Sequence, residues 1–270
     1  MTIMHLPSPV TIGLARGLTE VKLFFRSKEQ AIFTFAFPAG ILAVLGSVFS
    51  RTYEDTGVSS SHVLTASMVG AGIIATSFVN LSISVALDRE DGTLLRLRGT
   101  PMPAISYFLG KIILVLVASL AETVLVLGVG VALFGLDLPT DPAKWLTFAW
   151  VFVLAVISCS LIGIFTASLA KSGQSAAAVA NLPYVGLQFV SGVYVSPITL
   201  LPAGMVTVAS LFPIKWAAQG FRSVFLPDSM MKYEMAGSWE LGRTALVLGV
   251  WCVVGLGLCL MTFRWSNRSR

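Results

Sequence analysis

The sequence predicts an all-α integral membrane protein with six transmembrane helices, an amino-terminal amphipathic interfacial helix and an outer re-entrant hairpin after the fifth span. Of the 270 residues, 56% are hydrophobic and only 11% are charged, whereas about 25% of the residues of a soluble domain are charged. The mean hydropathy is +0.85, and long stretches contain no Asp, Glu, Lys or Arg. This composition excludes a soluble enzyme, a nucleic-acid-binding protein and a disordered chain.

The first element is a predicted interfacial helix in residues 1–30, on the cytoplasmic side. Basic residues lie largely off its apolar face, as in helices that lie in a membrane interface. That face is formed at helical spacing by Val10, Leu14, Leu18, Val21 and Phe25.

The membrane domain is predicted to cover residues 31–270. A transmembrane helix needs about 20 apolar residues, and the gaps between charged residues provide such lengths. The six spans are expected near 31–50, 63–87, 106–134, 146–170, 175–197 and 244–263.

An outer hairpin and loop are predicted for residues 198–243. Pro197, Pro202 and Pro213 interrupt the apolar sequence that follows the fifth span. Proline frees backbone groups that lipid cannot satisfy. We therefore expect a re-entrant or interfacial hairpin here, and no seventh span.

Lys and Arg residues indicate that both termini are cytoplasmic, because basic residues concentrate on that side of a membrane. With the amino terminus inside, twelve of the 18 Lys and Arg residues are cytoplasmic. Three of them are Arg264, Arg268 and Arg270.

The densest charge cluster is the coupling loop, residues 88–101, between the second and third spans. It should form a short helix on the cytoplasmic face, capped by Asp91 or Thr93 and ended by Gly99. Thr100 is expected to cap the third span, with Pro101 in its first turn. The helix would present leucines and ordered charges to a partner, from Asp88, Arg89, Glu90, Asp91, Gly92, Thr93, Leu94, Leu95, Arg96, Leu97 and Arg98. The alternative is a charged turn that only sets topology.

Three polar residues within the spans are candidates for a transport pathway: Asn80, Gln188 and Glu122. Ionisable residues at membrane depth are costly and usually functional. Glu122 could sense protons, attract a cationic substrate or bond to a neighbouring hydroxyl, and we expect the hydroxyl bond first. Asn80 and Gln188 could equally line a cavity or pack between helices.

The sequence offers no catalytic or metal site to which activity can be assigned. No histidine follows the candidate nucleophile Ser191, and His, Cys, Asp and Glu do not cluster at metal-ligand spacing. Gly110-Lys111 is followed by Ile112 and so lacks the phosphate-loop pattern. The chain is therefore not expected to be an enzyme, and any ATP chemistry would belong to another chain.

The coupling loop resembles the signature of the type-two ABC exporter permeases, in the motifs Arg89-Glu90-Asp91-Gly92-Thr93, Thr100-Pro101 and Gly110-Lys111. A second block is similar to the family's outer segment, at Ser191-Gly192, Pro197, Leu201-Pro202, Phe212-Pro213 and Phe221-Arg222. The pair Lys215-Trp216 departs from that pattern, because a small polar residue is common there.

This resemblance implies the permease subunit of a drug- or antibiotic-exporting ABC transporter in a bacterial cell membrane. It implies a second permease copy or paralogue, and two cytoplasmic ABC ATPase subunits that bind ATP and Mg. The chain itself would bind no cofactor and no nucleic acid, and would contact membrane lipid. The cargo would be hydrophobic small molecules or lipids. The alternatives are an ATP-independent, proton-coupled transporter or channel that uses Glu122, and a non-transporting scaffold.

Overall fold

The computed structural model describes residues 7–49 and 51–262. Residues 1–6 of the predicted leader, and Arg264, Arg268 and Arg270 of the predicted cytoplasmic set, lie outside the described residues. The helices are α1 (Pro9–Arg26), α2 (Lys28–Val48), α3 (Ser60–Ile74), α4 (Leu81–Glu90), α5 (Thr93–Arg98), α6 (Ala104–Phe134), α7 (Pro142–Leu169), α8 (Gly173–Val190), α9 (Ala203–Ala209), α10 (Pro213–Phe225) and α11 (Leu241–Thr262). Short 3₁₀ turns cover Ile198–Leu200 and Asp228–Tyr233.

The prediction of an all-α integral membrane protein is confirmed. Five described helical segments are long and apolar enough to cross a membrane: Lys28–Val48, Ser60–Glu90, Ala104–Phe134, Pro142–Leu169 and Leu241–Thr262. They correspond to the first, second, third, fourth and sixth predicted spans. The third span begins at Ala104, after Pro103, so the predicted cap at Thr100 and first-turn position of Pro101 are wrong.

The predicted fifth span is the helix α8, which ends at Val190 rather than near residue 197. Its 18 residues extend about 27 Å at 1.5 Å per residue. Polar residues within it lower its hydropathy, and it is not among the five segments that meet the criteria for a span. A crossing by α8 therefore stays a prediction.

The second span is continuous from Ser60 to Glu90 but contains a π-helical turn at Ala75–Asn80 between α3 and α4. Helix α7 approaches this turn closely through Gly163. A Cβ at this position would lie 2.8 Å from the carbonyl oxygen of Phe78 and 3.1 Å from that of Ser77. The absence of a side chain at Gly163 therefore lets α7 pack directly on the π turn.

Helix α1 packs along α6 through a narrow face that contains Gly13, Gly17, Glu20 and Phe24. Its predicted apolar face points away from the bundle, because Val10, Leu14, Leu18 and Phe25 are exposed. The helix itself is confirmed over Pro9–Arg26. One of its faces packs against α6, and the predicted apolar face is exposed.

Helices α9 and α10 follow α8 in the chain. All thirteen residues of α10 are buried, and this helix packs against α3, α7 and α11. Elsewhere in the chain, a two-stranded ribbon precedes α3, in which β1 (Thr52–Tyr53) pairs antiparallel with β2 (Val58–Ser59). Within the predicted hairpin and loop, α10 is thus part of the protein core, whereas α9 buries only Val206 and Ala209.

The close contact at Gly163 predicts a specific packing defect. Gly163→Ala should lower the thermal unfolding temperature of the purified protein in detergent, because overpacking a tight contact costs about 1–3 kcal/mol. The matched control is Gly128→Ala in α6, where a new Cβ meets nothing within 4 Å. Equal unfolding temperatures for the two variants would contradict the close packing of α7 on the π turn.

Candidate functional site

The candidate site is the corner where α4 and α5 meet. Gly92 lies between these helices with φ of +70°, a left-handed conformation that glycine adopts without steric cost. It is the residue before α5, and no side chain caps that helix. The predicted capping by Asp91 or Thr93 is therefore wrong, because a left-handed glycine makes the turn, whereas the end of α5 at Gly99 is as expected.

The centre of this corner is the ammonium group of Lys111, whose side chain is only 1% exposed. Lys111 lies two turns inside α6, donates hydrogen bonds to two side chains and forms an ion pair with a third. Its Nζ lies 2.7 Å from Asp88 Oδ2, 3.1 Å from Glu20 Oε2 and 2.9 Å from Ser84 Oγ. These acceptors match the three N–H donors of a lysine, so the buried charge is fully paired.

Two further contacts extend this ion cluster. Arg16 Nη2 lies 2.5 Å from Glu20 Oε1 within α1, and the Tyr107 hydroxyl donates to Asp88 Oδ2 at 2.8 Å. The cluster therefore joins α1, the end of α4 and the start of α6. It also contains two positive and two negative charges, which offset one another.

Arg89 and Glu90 clip α4 to the turn between α7 and α8. Arg89 Nη2 donates to the carbonyl oxygen of Ala167 at 2.6 Å and to that of Ala170. The Glu90 carboxylate accepts from the backbone N–H of Gly173, with a distance of 2.7 Å between Oε2 and N.

This pair of contacts follows the helix dipoles. The carboxyl end of a helix favours a cation and the amino end favours an anion. Arg89 lies at the carboxyl end of α7, and Glu90 lies at the amino end of α8. Consecutive charges of opposite sign therefore complement the two helix ends that meet at one turn.

The sequence predicts that the leucines of α5 are presented to a partner. In the structure, however, they do not all face outward. Leu94 is buried in the protein, Leu97 is partly buried, and Leu95 is 58% exposed. The exposed surface of the corner is formed by Asp91, Leu95, Arg96 and Arg98. Arg96 also donates to the carbonyl oxygen of Asp91 at 3.1 Å.

A groove of about 1320 Å³ runs between α2, α3 and α8. Gln188 lines it, as do Tyr184, Phe37 and a stripe of α3 that includes Met68 and Gly72. Asn80 is not among the described residues that line the groove, and its Nδ2 lies 3.4 Å from the Thr34 hydroxyl. Glu122 lies behind Gly72 and accepts a hydrogen bond from the hydroxyl of Thr76 at 2.7 Å.

A second buried ion pair lies on the opposite side of the protein. Arg222 in α10 binds Glu234 through two nitrogens, at 2.6 Å and 3.0 Å, and also donates to Ser67 Oγ in α3. Lys215 lies 3.5 Å from the centre of the Trp216 ring and 3.7 Å from Glu240 Oε2. Burial lowers the pKa of Lys215 to about 8, although the charge of Glu240 opposes this shift.

Comparison with known proteins identifies the family. Residues 17–226 match the family model of the ABC-2 type transporter. The chain belongs to the ABC-2 type transporter family. The matched range includes the Lys111 ion cluster, apart from Arg16, and it also includes the α4–α5 corner, the groove and α10.

The ABC-2 chain is also similar to two curated proteins, each named "Probable multidrug ABC transporter permease YbhR", from Escherichia coli K12 and Escherichia coli O157:H7. Each is 25% identical over 162 residues, which cover 59% of this chain and 42% of the relative. The chain thus aligns with less than half the length of these relatives.

The sequence reading missed most of the ion cluster. Glu122 is the ionisable residue that the sequence singles out within a span, but Lys111 is equally buried. Glu20 was hidden in the polar half of the leader, and Arg222 and Lys215 were assigned to an outer loop. Within residues 7–49 and 51–262, no group of three His, Cys, Asp or Glu side chains could hold a metal ion.

The ion cluster predicts a large loss of stability when its cation is removed. Lys111→Met leaves Asp88 and Glu20 buried without their shared partner, and breaking a buried pair costs about 3–5 kcal/mol. Thermal unfolding in detergent should show a marked fall in the unfolding temperature.

The matched control is Lys232→Met. Lys232 pairs with Asp55 at 3.1 Å, but both side chains are exposed, and exposed pairs contribute about 0–1 kcal/mol. If the two methionine variants unfolded at the same temperature, Lys111 would not stabilise the corner.

Proposed function

We propose that this chain is the membrane permease subunit of an ATP-driven ABC exporter. It would move hydrophobic small molecules, such as drugs, antibiotics or lipid-like compounds, outward across a bacterial cell membrane. ATP and Mg would be bound by a separate cytoplasmic ATPase subunit present in two copies. A second permease copy or a paralogue would complete the pathway.

The observation that carries this proposal is the construction of the α4–α5 corner. One side of α5 is fixed to the protein through Leu94, while Leu95, Arg96 and Arg98 are exposed. The adjoining end of α4 is held by Lys111 and by the clip of Arg89 and Glu90. A turn that only sets the membrane topology needs neither an exposed charged helix nor this anchoring. A segment that transmits the motion of a soluble partner to the membrane helices needs both.

The proposal includes six spans with both termini in the cytoplasm. Helix α8 is taken as the fifth span, because its length of about 27 Å is close to the 30 Å of a hydrocarbon core. Helices α9 and α10 would form the re-entrant hairpin. The exposed apolar side chains of Met205, Val208 and Leu211 near α9 suit contact with lipid or with another membrane subunit.

The groove supports both the pathway and the second copy. Its walls on α2 and α8 include exposed apolar side chains, among them Phe37, Val44 and Phe189. Exposed apolar surface of this extent marks a contact with lipid or protein. Two copies that face each other across α2 and α8 would enclose their grooves, and the apolar lining suits hydrophobic cargo.

The exposed face of α5 should be required for binding of the ATPase. We predict that Leu95→Asp combined with Arg98→Glu reduces copurification of the ATPase subunit about tenfold or more, because reversal of charge at an interface costs roughly 2–5 kcal/mol. The amount of permease in the membrane should stay normal, since both side chains are exposed. Quantitative pull-down from solubilised membranes provides the measurement.

Asp137→Lys is the matched control, because it reverses an exposed charge at the other end of α6. Glu90→Lys is unsuitable as a docking test, because Glu90 caps α8 within the same chain. If the doubly substituted chain bound the ATPase normally, the proposed docking role would be wrong, and the coupling loop would only set the membrane topology.

Topology can be tested by chemical labelling. In a background in which Cys159, Cys252 and Cys259 are replaced by Ala, Asp55→Cys should react with an impermeant maleimide added to intact cells. Leu95→Cys should react only after the cells are opened. Both positions are exposed, so a reversed pattern would show that the orientation derived from the Lys and Arg distribution is wrong.

A further inference from the structure

The carboxyl group of Glu122 has one satisfied and one unsatisfied oxygen. Oε2 accepts a hydrogen bond of 2.7 Å from the hydroxyl of Thr76 in the π-helical turn. Oε1 has no hydrogen-bond partner, although the residue is only 1% exposed. The expected bond to a neighbouring hydroxyl is therefore present, but it accounts for only half of the carboxyl group.

A buried carboxylate without a full set of partners is strongly disfavoured at membrane depth. The described part of the chain offers no countercharge to it: none of the ion pairs among residues 7–49 and 51–262 includes Glu122. By contrast, the buried carboxylates of Glu20 and Glu234 both have cationic partners within this chain. Among the described ion pairs, Glu122 thus lacks a cationic partner of the kind that the buried residues Glu20 and Glu234 have.

Glu122 Oε1 lies next to Gly72, a residue that lines the groove. A Cβ at Gly72 would lie 2.5 Å from that oxygen, so any side chain at position 72 would occupy the space next to the carboxyl group. Gly72 also lines the groove, at the inner end of the α3 stripe of Ser60, Leu64, Met68 and Gly72. The hydroxyl of Tyr184, from the opposite wall, donates to the carbonyl oxygen of Ala71 beside it.

The groove itself suits a large apolar body. Aromatic rings line it at Phe37, Tyr184, Phe189 and Tyr194, and such rings also attract cations. Its basic side chain, Arg51, follows the far end of α2. Gly72 comes twelve positions after Ser60, which places the glycine about 18 Å along α3 from that end, at 1.5 Å per residue.

We propose that Glu122 binds the positively charged nitrogen of a hydrophobic ammonium compound that lies in the groove, with the ammonium group donating to Oε1 across Gly72. The proposal deepens the proposed function, since it takes the groove as part of the transport pathway and specifies the charge of its cargo. A divalent metal ion is a poorer fit, because it needs about six oxygen ligands, whereas Glu122 and Thr76 are the polar side chains joined here.

The test compares two probes that differ only in charge. Monodansylcadaverine is a fluorescent apolar compound with one primary ammonium group, and its N-acetyl derivative is neutral. Each is titrated against the full chain in nanodiscs of zwitterionic lipid, and binding is followed by dansyl fluorescence. The wild-type protein should bind the ammonium probe about 10- to 100-fold more tightly, as expected for a hydrogen bond between charged groups.

Glu122→Gln should reduce that preference to about one while leaving the affinity for the neutral probe unchanged. Unchanged binding of the neutral probe also shows that the variant is folded. Glu54→Gln, an exposed acid in the turn before α3, is the matched control and should retain the wild-type preference.

Two results would overturn the proposal. One is an equal affinity of the wild-type protein for both probes, which needs no variant and would leave Glu122 as a proton-binding or structural residue. The other is a preference for the ammonium probe that survives in Glu122→Gln. The assay contains no ATPase, so its failure is distinct from a failure of ATPase docking, which would concern the proposed function instead.

Discussion

The half of this structure that contains the α4–α5 corner depends on one buried cation. The ammonium of Lys111 in α6 donates to Glu20 and Ser84 and forms an ion pair with Asp88, so it joins α6 to α1 and α4, two segments that are distant from it in sequence. A lysine this deeply buried is tolerated because each of its donors has an acceptor and two of these acceptors are charged. Its removal would take from Glu20 and Asp88 the cation that they share, so the positions of α1, α4 and α6 are coupled to one another.

A second set of polar contacts, made by Arg89 and Glu90, adjoins the Lys111 ion cluster. The residues that follow Asp88 complement the helix ends at the α7–α8 turn, with Arg89 on carbonyl groups and Glu90 on a backbone N–H. As a result, the end of α4 is held on one side by α1 and α6 and on the other by α7 and α8. Force applied to α5 would therefore reach both α8, which forms one wall of the groove, and the helix that contains the π turn. The charged motif thus makes contacts within the chain, and the partner contact that we propose is left to the exposed side of α5.

The sequence predicted the parts of the structure that follow from local chemistry. Charge-free lengths gave the membrane helices, and helical spacing gave α1, because both depend on neighbouring residues. The caps of α5 and α6 were wrong, because Gly92 and Pro103 compete with Asp91, Thr93 and Thr100 at those turns. The contacts of Lys111 with Glu20 and of Glu90 with Gly173 could not be predicted, since these pairs are 91 and 83 residues apart in the chain. The burial of Arg222 was likewise hidden, because its partner Glu234 comes from a segment that reads as a polar loop.

The central claim is that the α4–α5 corner and the α7–α8 turn move as one body while the groove changes shape. Pulsed electron–electron double resonance on the permease–ATPase complex tests this claim. One sample has spin labels at Leu95 and Lys171, and the other has them at Val44 and Leu182. All four side chains are exposed. On binding of a non-hydrolysable ATP analogue, the distance between positions 95 and 171 within a chain should stay constant, and the distance between positions 44 and 182 should change. A change between 95 and 171 with no change across the groove would contradict the account.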